Sequence, residues 1–245
     1  MDLLAVMTKV LSKQFNVSTA VNGKIAIDIL QEEQNIDAVI TDYMMPEMNG
    51  VELCRIIRND TALNHLPIVM LTAKTQTEYH LEGYDAGADV YITKPVEMVL
   101  LTAQIQVLIT NRKLLIQQFR QQDNLDICDL DLSVFDRDFL DKAIAAIEQQ
   151  MDNSEFSNEI FSEMMNMSQS TLYRKLKSLT GMSLNEFIRD VRIKKACMLL
   201  RHSDLRIAEI AYMVGFTDPK YFREIFKKKK GMTPKEYQES LKQGN

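Results

Sequence analysis

The spacing of hydrophobic and polar positions changes half-way along the chain. In the first half, helix-type patterns alternate with short β-type runs, and the last three of these runs are apolar throughout, as strands covered on both faces are. The helix-type patterns cover residues 3–11, 24–33, 51–59, 77–83 and 96–119, and the β-type runs cover residues 17–20, 38–41, 68–72 and 90–93. Because strands that alternate with helices indicate right-handed crossovers, the pattern predicts an α/β doubly wound parallel sheet.

The second half has helical patterns and no convincing strand. Asp136, Ser157, Ser168 and Ser183 stand where helices should begin, and Gly181, Gly215 and Gly231 stand where helices should end. The second half is therefore predicted to be an all-α domain.

Two stretches of this half resemble each other. MSQSTLYRKLKSLTGMSLNEF begins at Met167 and FTDPKYFREIFKKKKGMTPKEY begins at Phe216, with one residue inserted before the second glycine. Each stretch has a hydroxyl residue, an aromatic-Arg pair, lysines and then Gly-Met. A repeat of this size indicates duplicated supersecondary units.

Each unit has the pattern of a helix-turn-helix. In the first, Ser157 and Ser168 are placed to cap two short helices, and Asn166 tolerates a left-handed turn between them. In the second, residues 207–216 supply the first helix and the turn, and Thr217 is predicted to cap the next helix. The side chains expected to face outward are Gln169, Ser170, Thr171, Arg174 and Lys177 in the first unit, and Thr217, Asp218, Lys220, Arg223, Glu224 and Lys227 in the second. Such polar faces suit the major groove of DNA, although faces that are merely solvated would have the same composition.

The length and charge of the chain support this division. A chain of 245 residues predicts about two domains. The formal net charge of −5 is unevenly distributed, since residues 1–120 carry −4, residues 121–166 carry −10 and residues 167–245 carry +9. This asymmetry favours a nucleic-acid-binding end, although a solvated basic surface is the alternative. The acidic segment QQDNLDICDLDLS predicts a linker, placed at residues 120–135.

Several classes of protein are disfavoured. The chain does not open with a basic and then apolar secretion signal. The longest apolar stretch, residues 96–110, is too short and too polar to span a bilayer. The three cysteines have no metal or redox spacing, which favours buried thiols in a reducing compartment. We therefore expect a cytoplasmic protein without membrane contact.

Polar residues end three of the predicted strands: Asp42, Thr72 and Lys94. In an open parallel sheet, reacting groups lie off the carboxyl ends of the strands. The carboxylate can attack phosphorus and hold a phosphoryl group as an acyl phosphate, while lysine and a magnesium ion neutralise the phosphoryl oxygens. A phosphatase-like enzyme is an alternative, but it would normally need a second acid where Tyr43 and Met44 stand.

The motif D-x-x-M-P-x-M-x-G at residues 42–50, with LTA at residues 71–73 and TKP at residues 93–95, resembles bacterial response-regulator receiver domains. The resemblance covers residues 1–119 and implies a flavodoxin-like fold. It implies that Asp42 is the phosphoacceptor, Thr72 the switch hydroxyl, Tyr91 the switch aromatic and Lys94 the site's lysine. It also implies Mg²⁺ held by Asp42 and the backbone carbonyl of Met44.

One departure from this family affects the metal site. Receiver domains begin with a strand that ends in an acidic pair, whereas this chain opens with MDLLAVMTKV, which resembles the first helix with Asp2 as its N-cap. Without the pair, Asp42 is the one metal-site carboxylate that can be assigned, so Mg²⁺ binding should be weak or absent. We predict slow or absent phosphorylation, and a receiver domain that is truncated at its N-terminus.

The segment IAEIAYMVGFTDPKYFREIFKKKKGMTPKEY resembles AraC/XylS-type DNA-binding domains, and the predicted domain covers residues 136–245. The resemblance implies seven helices, with a long helix at residues 184–200 between two helix-turn-helix units that reach successive major grooves about 34 Å apart.

A receiver domain followed by such a domain resembles the C-terminal output end of hybrid two-component system proteins. It implies a non-enzymatic, sequence-specific transcriptional regulator that binds double-stranded DNA and receives phosphoryl groups from a sensor histidine kinase. The alternative is a phosphorylation-independent regulator, in which the truncated receiver is only a dimerisation module.

The predicted helix at residues 96–119 has a candidate dimerisation face. Leu100, Ala103, Val107 and Leu114 stand at heptad-like spacing, so this face could pair with a second copy in a homodimer. For the first three, covering the domain's own sheet is the favoured interpretation, whereas Leu114 should lie beyond the reach of that sheet.

Overall fold

The computed structural model describes residues 3–33, 35–73, 87–128, 130–153 and 155–243. The chain divides into two compact units, Met1–Leu114 and Leu115–Asn245. Asp2 and the helix predicted at residues 77–83 lie outside the described residues, so the predictions made for them are not addressed.

The first unit contains a three-stranded parallel sheet and flanking helices. Its elements are α1 (Leu3–Leu11), α2 (Gly23–Glu32), β1 (Val39–Asp42), α3 (Gly50–Asn59), β2 (Ile68–Thr72), β3 (Val90–Thr93) and the beginning of α4 (Met98–Gln121). The strand order is β1-β2-β3, and both pairs are parallel. The predicted doubly wound α/β class is confirmed.

Helices cover both faces of this sheet, and the central strand β2 shows it directly. All five residues of β2 are buried. Ile68 and Met70 belong to a core cluster with α2 and α3, whereas Val69 and Leu71 belong to a second cluster with α1 and α4. This arrangement explains why the run at residues 68–72 is apolar at every position, as a strand covered on both faces requires.

The strand predicted at residues 17–20 is not formed. These residues have no regular secondary structure, and within the part of the chain that the structure describes β2 is the one strand paired with β1. Residues 17–20 and β1 instead line the same cavity, of about 490 Å³. A strand needs a neighbour to accept and donate its backbone hydrogen bonds, and the described residues put no segment between these two.

The second unit is helical, as predicted. The described residues after α4 form seven helices: α5 (Val134–Gln149), α6 (Asn158–Met164), α7 (Gln169–Thr180), α8 (Leu184–His202), α9 (Ile207–Met213), α10 (Pro219–Lys230) and α11 (Pro234–Gln243). They share one core cluster, which includes a row of stacked rings formed by Phe119, Phe161 and Phe187. The long helix α8 contacts α5, α7, α9 and α11 and is therefore the central element of this unit.

Helix α4 contributes to the core of each unit. Leu101 and Ile105 are buried in the first unit, and Phe119 is buried in the second. Within the second unit, Lys194 Nζ donates to the backbone oxygen of Phe119 at 2.9 Å and lies 4.1 Å from the centre of its ring. Among the described residues, α4 alone is long and apolar enough by composition to cross a membrane, which is weak evidence because core helices pass the same test.

The acidic segment between the predicted domains is partly buried and not a fully exposed linker. Ile127 and Leu130 are buried in the core of the second unit, and the Arg137 guanidinium donates to the backbone oxygen of Leu130 at 2.9 Å. The first helix after it is capped by Ser133 and not by Asp136. The predicted domain limits of 119, 120–135 and 136 stay predictions.

The three cysteines are not all buried as expected. Cys54 and Cys197 are buried, whereas Cys128 is exposed. Burial raises the pKa of the Cys54 thiol to about 11, so this side chain stays protonated and unreactive near neutral pH.

Candidate functional site

Asp42 and Lys94 meet at the carboxyl edge of the sheet. Asp42 is the last residue of β1, and Lys94 directly follows β3. The Lys94 ammonium donates a hydrogen bond to Asp42 Oδ2, and both side chains are roughly one third exposed. The second oxygen, Asp42 Oδ1, accepts the backbone N–H of Met44 at 3.2 Å. The structure thus brings together the carboxylate and the ammonium that the sequence placed at the ends of two strands.

The loop after Asp42 holds this carboxylate in place. Gly50 is the first residue of α3, and a Cβ atom there would lie 2.2 Å from the backbone oxygen of Asp42. Glycine is therefore required for a close backbone approach. The Met45 sulfur accepts a hydrogen bond from the Thr41 hydroxyl at 3.7 Å, and its side chain packs against the core. Met44 is 76% exposed, so the two neighbouring methionines differ in role.

The other two predicted site residues lie on neighbouring strands. Thr72 ends β2, is buried, and is aligned with Thr93 of β3. Tyr91 is half-buried on β3 beside Met70, and it packs against the core cluster formed with α2 and α3. Thr72 thus shares the sheet edge with Asp42, whereas Tyr91 has a packing role whether or not it switches.

The described residues do not by themselves provide a magnesium site. They contain no group of three or more His, Cys, Asp or Glu side chains that could hold a metal ion. Both oxygens of Asp42 are engaged, one by Lys94 and one by the backbone of Met44. Mg²⁺ needs several oxygen ligands in an octahedral arrangement, and one occupied carboxylate does not supply them.

The second unit contains two helix pairs with the same dimensions. Each pair has a helix of 7 residues, α6 or α9, followed by a helix of 12 residues, α7 or α10. The turns contain left-handed residues at matching places, Asn166 with φ 52° and Gly215 with φ 80°. Each long helix ends at a left-handed glycine, Gly181 or Gly231. The predicted duplication is therefore present in the backbone.

The structure changes the register of this repeat. The first helices lie 49 residues apart, whereas the second helices and their N-caps lie 50 apart. The inserted residue is therefore in the turn, ahead of the aromatic-Arg pair, and not between that pair and the second glycine. Asp218, not Thr217, caps α10, since its side chain accepts the Lys220 N–H at 2.8 Å. Arg223 occupies the helix position of Tyr173, and Arg174 that of Glu224.

Most of the predicted DNA-contacting side chains are on the surface. Those classed as exposed are Gln169, Ser170, Lys177, Thr217, Lys220, Arg223 and Lys227, while Thr171 and Arg174 are half-buried. Two are engaged locally: Gln169 Nε2 donates to Glu159 Oε1 at 3.0 Å, and Lys177 Nζ donates to the backbone oxygen of Gly181 at 3.0 Å.

Sequence reasoning missed two buried lysines of the second unit. Lys175 on α7 is fully buried and donates a hydrogen bond to Asp136 of α5. It lies three residues after Leu172 and four before Leu179, so the helical period could have placed it inward. Lys194 is paired with Asp190 at 3.2 Å, and burial lowers the pKa of its ammonium. These charges are structural and are not available to a ligand.

Comparisons with known proteins match two parts of the chain. Residues 1–106 match the family model of the response regulator receiver domain, and residues 161–240 match that of a helix-turn-helix domain. Residues 1–106 therefore form a response regulator receiver domain, and residues 161–240 form a helix-turn-helix domain. More particularly, the chain is a receiver domain followed by an AraC-type helix-turn-helix domain.

Three similar proteins are examples of these matches. Histidine kinase P4 of Formosa agariphila is 38% identical over 229 residues, which are 93% of this chain and 17% of that protein. The HTH-type transcriptional activator RhaR of Salmonella dublin is 38% identical over 98 residues, 40% of this chain and 34% of the relative. A solved C-terminal domain of AraT, a response regulator from Geobacillus stearothermophilus, is 32% identical, with a TM-score of 0.38, and the match covers 45% of this chain and 88% of that domain. The chain thus spans about a sixth of the first relative.

Proposed function

We propose that this chain is a sequence-specific DNA-binding transcriptional regulator of a two-component phosphorelay, with Asp42 at the phosphoacceptor position. The observation that carries the proposal is the repeated helix pair, whose long helices α7 and α10 are capped, equal in length and polar on their exposed faces. Two such helices on one domain suit two successive major grooves of double-stranded DNA.

The exposed residues of α7 and α10 divide into two roles. Arg174 and Arg223 are suited to reading base edges, because a guanidinium can donate two parallel hydrogen bonds to guanine. The lysines, which include the run at the end of α10, are suited to phosphate contacts, which position the protein without reading sequence. Lys227 and Lys228 are exposed, whereas Lys229 forms an ion pair with Asp190 at 2.5 Å and is less available.

Band-shift titrations on a selected operator test this division. Arg223→Ala should lower the preference for the operator over random duplex, by about tenfold for a loss of roughly 1–3 kcal/mol. Lys228→Ala should weaken binding to both duplexes and reduce the salt dependence by about one ion. Lys142→Ala is the matched control, since Lys142 is exposed on α5 in an ion pair with Asp138. Unchanged binding by both test variants would contradict the proposed faces.

The acidic site supports the phosphoacceptor role for Asp42 and argues against rapid reaction. In the reaction, an Asp42 oxygen forms a bond to phosphorus while the bond between phosphorus and the donor's leaving group breaks. Lys94 would neutralise the phosphoryl oxygens, and Thr72 would hydrogen-bond to them. Tyr91 would act as the switch aromatic. A sensor histidine kinase is the expected donor. Because one carboxylate paired with lysine does not fit Mg²⁺, we expect slow or absent phosphorylation.

Mass spectrometry after incubation with acetyl phosphate and magnesium tests this expectation. The intact mass should stay unchanged, as it should for Asp42→Asn. A gain of one phosphoryl group by the wild-type chain and not by Asp42→Asn would contradict the prediction of poor phosphorylation while supporting Asp42 as acceptor. Hydrolysis of a general phosphate ester by the wild-type chain would instead favour a phosphatase and contradict the proposal of a non-enzymatic regulator.

We also propose that α4 mediates a homodimer. Leu100, Val107 and Leu114 are 46%, 52% and 50% exposed, and they recur at intervals of seven residues. Ala103, between the first two, is exposed as well. The expectation that the first three cover their own sheet is therefore wrong, because Leu101 and Ile105 fill that position. An exposed apolar row with a heptad period suits pairing with a second copy.

Sedimentation of the full chain tests this dimer. Val107→Lys should shift the dimer dissociation constant upward by at least tenfold, because it places charges within an apolar seam. A lysine at Ala5, which is exposed on α1, should leave it unchanged. If both variants and the wild type sediment alike as monomers, α4 does not join two copies under these conditions.

A phosphorylation-independent regulator is the second candidate. The observation that favours it is the ion pair of Asp42 with Lys94, which engages the carboxylate without any phosphoryl group. Band shifts with and without a phosphodonor distinguish the two, since the second candidate requires equal DNA affinity in both. Either regulator would act in the cytoplasm on double-stranded DNA.

A further inference from the structure

Residues 119–123, at and just beyond the end of α4, are anchored in the core of the second unit. Phe119 is 2% exposed, and its ring stacks on that of Phe187 with the ring centres 6.0 Å apart. Lys194 Nζ of α8 donates to the backbone oxygen of Phe119 at 2.9 Å, and Asp190 pairs with this buried ammonium at 3.2 Å. Because ring and main chain are both held at residue 119, the side chains that follow it extend from a fixed backbone.

The next residue, Arg120, reaches the end of the first long helix of the repeat. Its Nε donates to the backbone oxygen of Thr180 at 3.0 Å, and its Nη2 donates to that of Gly181. The last carbonyls of a helix have no partner within that helix, so the guanidinium satisfies two acceptors at the C-terminus of α7. Gly181 leaves room for this contact, since a Cβ atom there would lie 2.9 Å from Arg120 Nη2.

Asp123 reaches the end of the second long helix. Lys230, the last residue of α10, donates a hydrogen bond to Asp123 Oδ1, and the lysine side chain is only 9% exposed. The neighbouring Lys229 pairs with Asp190 at 2.5 Å, so it shares the carboxylate that also pairs with Lys194. The end of α10 is therefore joined to residues 119–123 directly and also through α8.

The two long helices pack on different neighbours. Helix α7 packs mainly on α6 and α8, whereas α10 packs mainly on α9 and α11. The distance and angle between α7 and α10 therefore depend on how these two groups of helices are joined. Residues 119–123 contact the C-termini of both long helices and so join the two groups in addition to α8.

We propose that Arg120 and Asp123 are positioning residues, which set the spacing and orientation of α7 and α10 without touching DNA. The inference rests on the proposed function, in which the two helices enter successive major grooves about 34 Å apart. Recognition helices of this class contact base edges with their N-terminal residues, whereas Arg120 and Asp123 bind at the opposite, C-terminal ends. Changing either residue should therefore alter how well two half-sites are read together and leave the reading of one half-site unchanged.

Binding to duplexes of different spacing tests this role. The full chain selects an operator from a random pool, and about five base pairs, half a helical turn, are then inserted between its two half-sites. The wild type should bind the original operator at least about tenfold more tightly than the lengthened one, because one half-site at a time can then meet its helix. Arg120→Ala and Asp123→Ala should each reduce this preference by about threefold, the size expected for the loss of an exposed charged contact.

A duplex with a single half-site separates positioning from a loss of folding. Arg120→Ala and Asp123→Ala should bind it with wild-type affinity, and an equal loss on the single half-site and on the operator would overturn the proposal. Unchanged spacing preference in both variants would overturn it as well.

Two matched control variants should keep the full spacing preference. Arg189→Ala removes a guanidinium that donates within its own helix, to the backbone oxygen of Asn185 at 3.2 Å. Asp138→Ala removes an exposed carboxylate that pairs with Lys142 within α5. A loss of spacing preference in these controls equal to that in the test variants would contradict the assignment to Arg120 and Asp123.

A measurement without DNA distinguishes failure of this inference from failure of the proposed function. In a Cys128→Ser background, spin labels at Ser170→Cys and Lys220→Cys report the distance between α7 and α10, because both positions are exposed and the other native cysteines are buried. The distance distribution should be broader in Arg120→Ala and Asp123→Ala than in the parent, and unchanged distributions would overturn the inference. Broader distributions in a chain that selects no duplex would support the positioning role and overturn the proposed function instead.

Discussion

The two units of the chain differ in how their elements depend on one another. In the helical unit, every backbone hydrogen bond of a helix interior is made within that helix, and the helices close around one apolar cluster. In the sheet unit, the described part of the core is divided into two clusters, one on each face of the sheet. Strands obtain their hydrogen-bond partners from distant parts of the sequence, so each strand depends on segments outside itself. We therefore expect the helical unit to be the more sensitive to single changes in its interior.

The largest effect should come from breaking the buried Lys175–Asp136 pair. Asp136→Asn or Lys175→Met should each lower the free energy of unfolding of the helical unit by about 3–5 kcal/mol, because each removes the opposite charge from a buried partner. Urea unfolding followed by circular dichroism measures the loss. The double variant should recover most of it, and Lys142→Met, which breaks the exposed pair with Asp138, should cost less than about 1 kcal/mol. Equal losses for the buried and exposed pairs would contradict this account.

Truncating one isoleucine to alanine in each unit should give the next largest effect, and the two losses of stability should differ. Ile210→Ala should cost about 2–5 kcal/mol, because Ile210 on α9 is fully buried in a closed core. Ile40→Ala should cost only about 1 kcal/mol, because Ile40 is half-buried beside an existing cavity. Hydrogen exchange resolved by segment reports each unit separately. The reverse order of losses would show that the sheet unit is the better packed of the two.

A smaller effect is expected at a helix start. Ser183 caps α8, where its side chain accepts the Glu186 N–H and the Glu186 carboxylate accepts the Ser183 N–H. Ser183→Ala should lower the free energy of unfolding by about 1 kcal/mol. Ser183→Asn is the control and should retain most of the stability, because asparagine also caps helices. Thermal unfolding monitored at 222 nm distinguishes the two variants.

The smallest effect concerns pH. Hydrogen bonds from the backbone N–H and the hydroxyl of Ser183 lower the pKa of Glu186 below its ordinary value of 4.5. The stabilisation is therefore present above the unfolded-state pKa and is lost as the pH falls through the folded pKa. Glu186→Gln should reduce the loss of stability below about pH 4.5, with a difference of less than about 1 kcal/mol at neutral pH because this carboxylate is exposed. Unfolding curves for the wild type and for Glu186→Gln at several acidic pH values measure this difference in stability.

Sequence-based predictions were correct for features that depend on neighbouring residues and failed for features that depend on distant segments. The three strands that formed were placed within one residue, because each apolar run and the polar residue that ends it are adjacent in the chain. The caps at Ser157, Ser168 and Ser183 and the left-handed Asn166 were identified correctly for the same reason. Residues 17–20 have the composition of a strand and do not form one, because the partner that a strand requires is not a local property.

Sequence similarity also gave the wrong register for the repeat, because packing determines that register. Matching Arg174 with Arg223 seemed natural in the aligned repeat, yet the N-caps and the buried positions place Arg174 opposite Glu224. The buried residues Leu172 and Phe222 fix this register, because each must reach the core from the same turn of its helix. The two surfaces that we propose to face DNA therefore differ more in charge pattern than the sequence repeat suggested.

The sequence by itself determined most of the helical segments, the helix starts at Ser157, Ser168 and Ser183, and which carboxylate and ammonium end the strands, because these properties depend on neighbouring residues. The tertiary structure decided that Lys175 is buried, that α4 exposes Leu100 and Val107, and that Arg174 lies opposite Glu224 in the repeat. Each of those depends on which distant segments come together, and a strand or a helix face has no defined environment until they do.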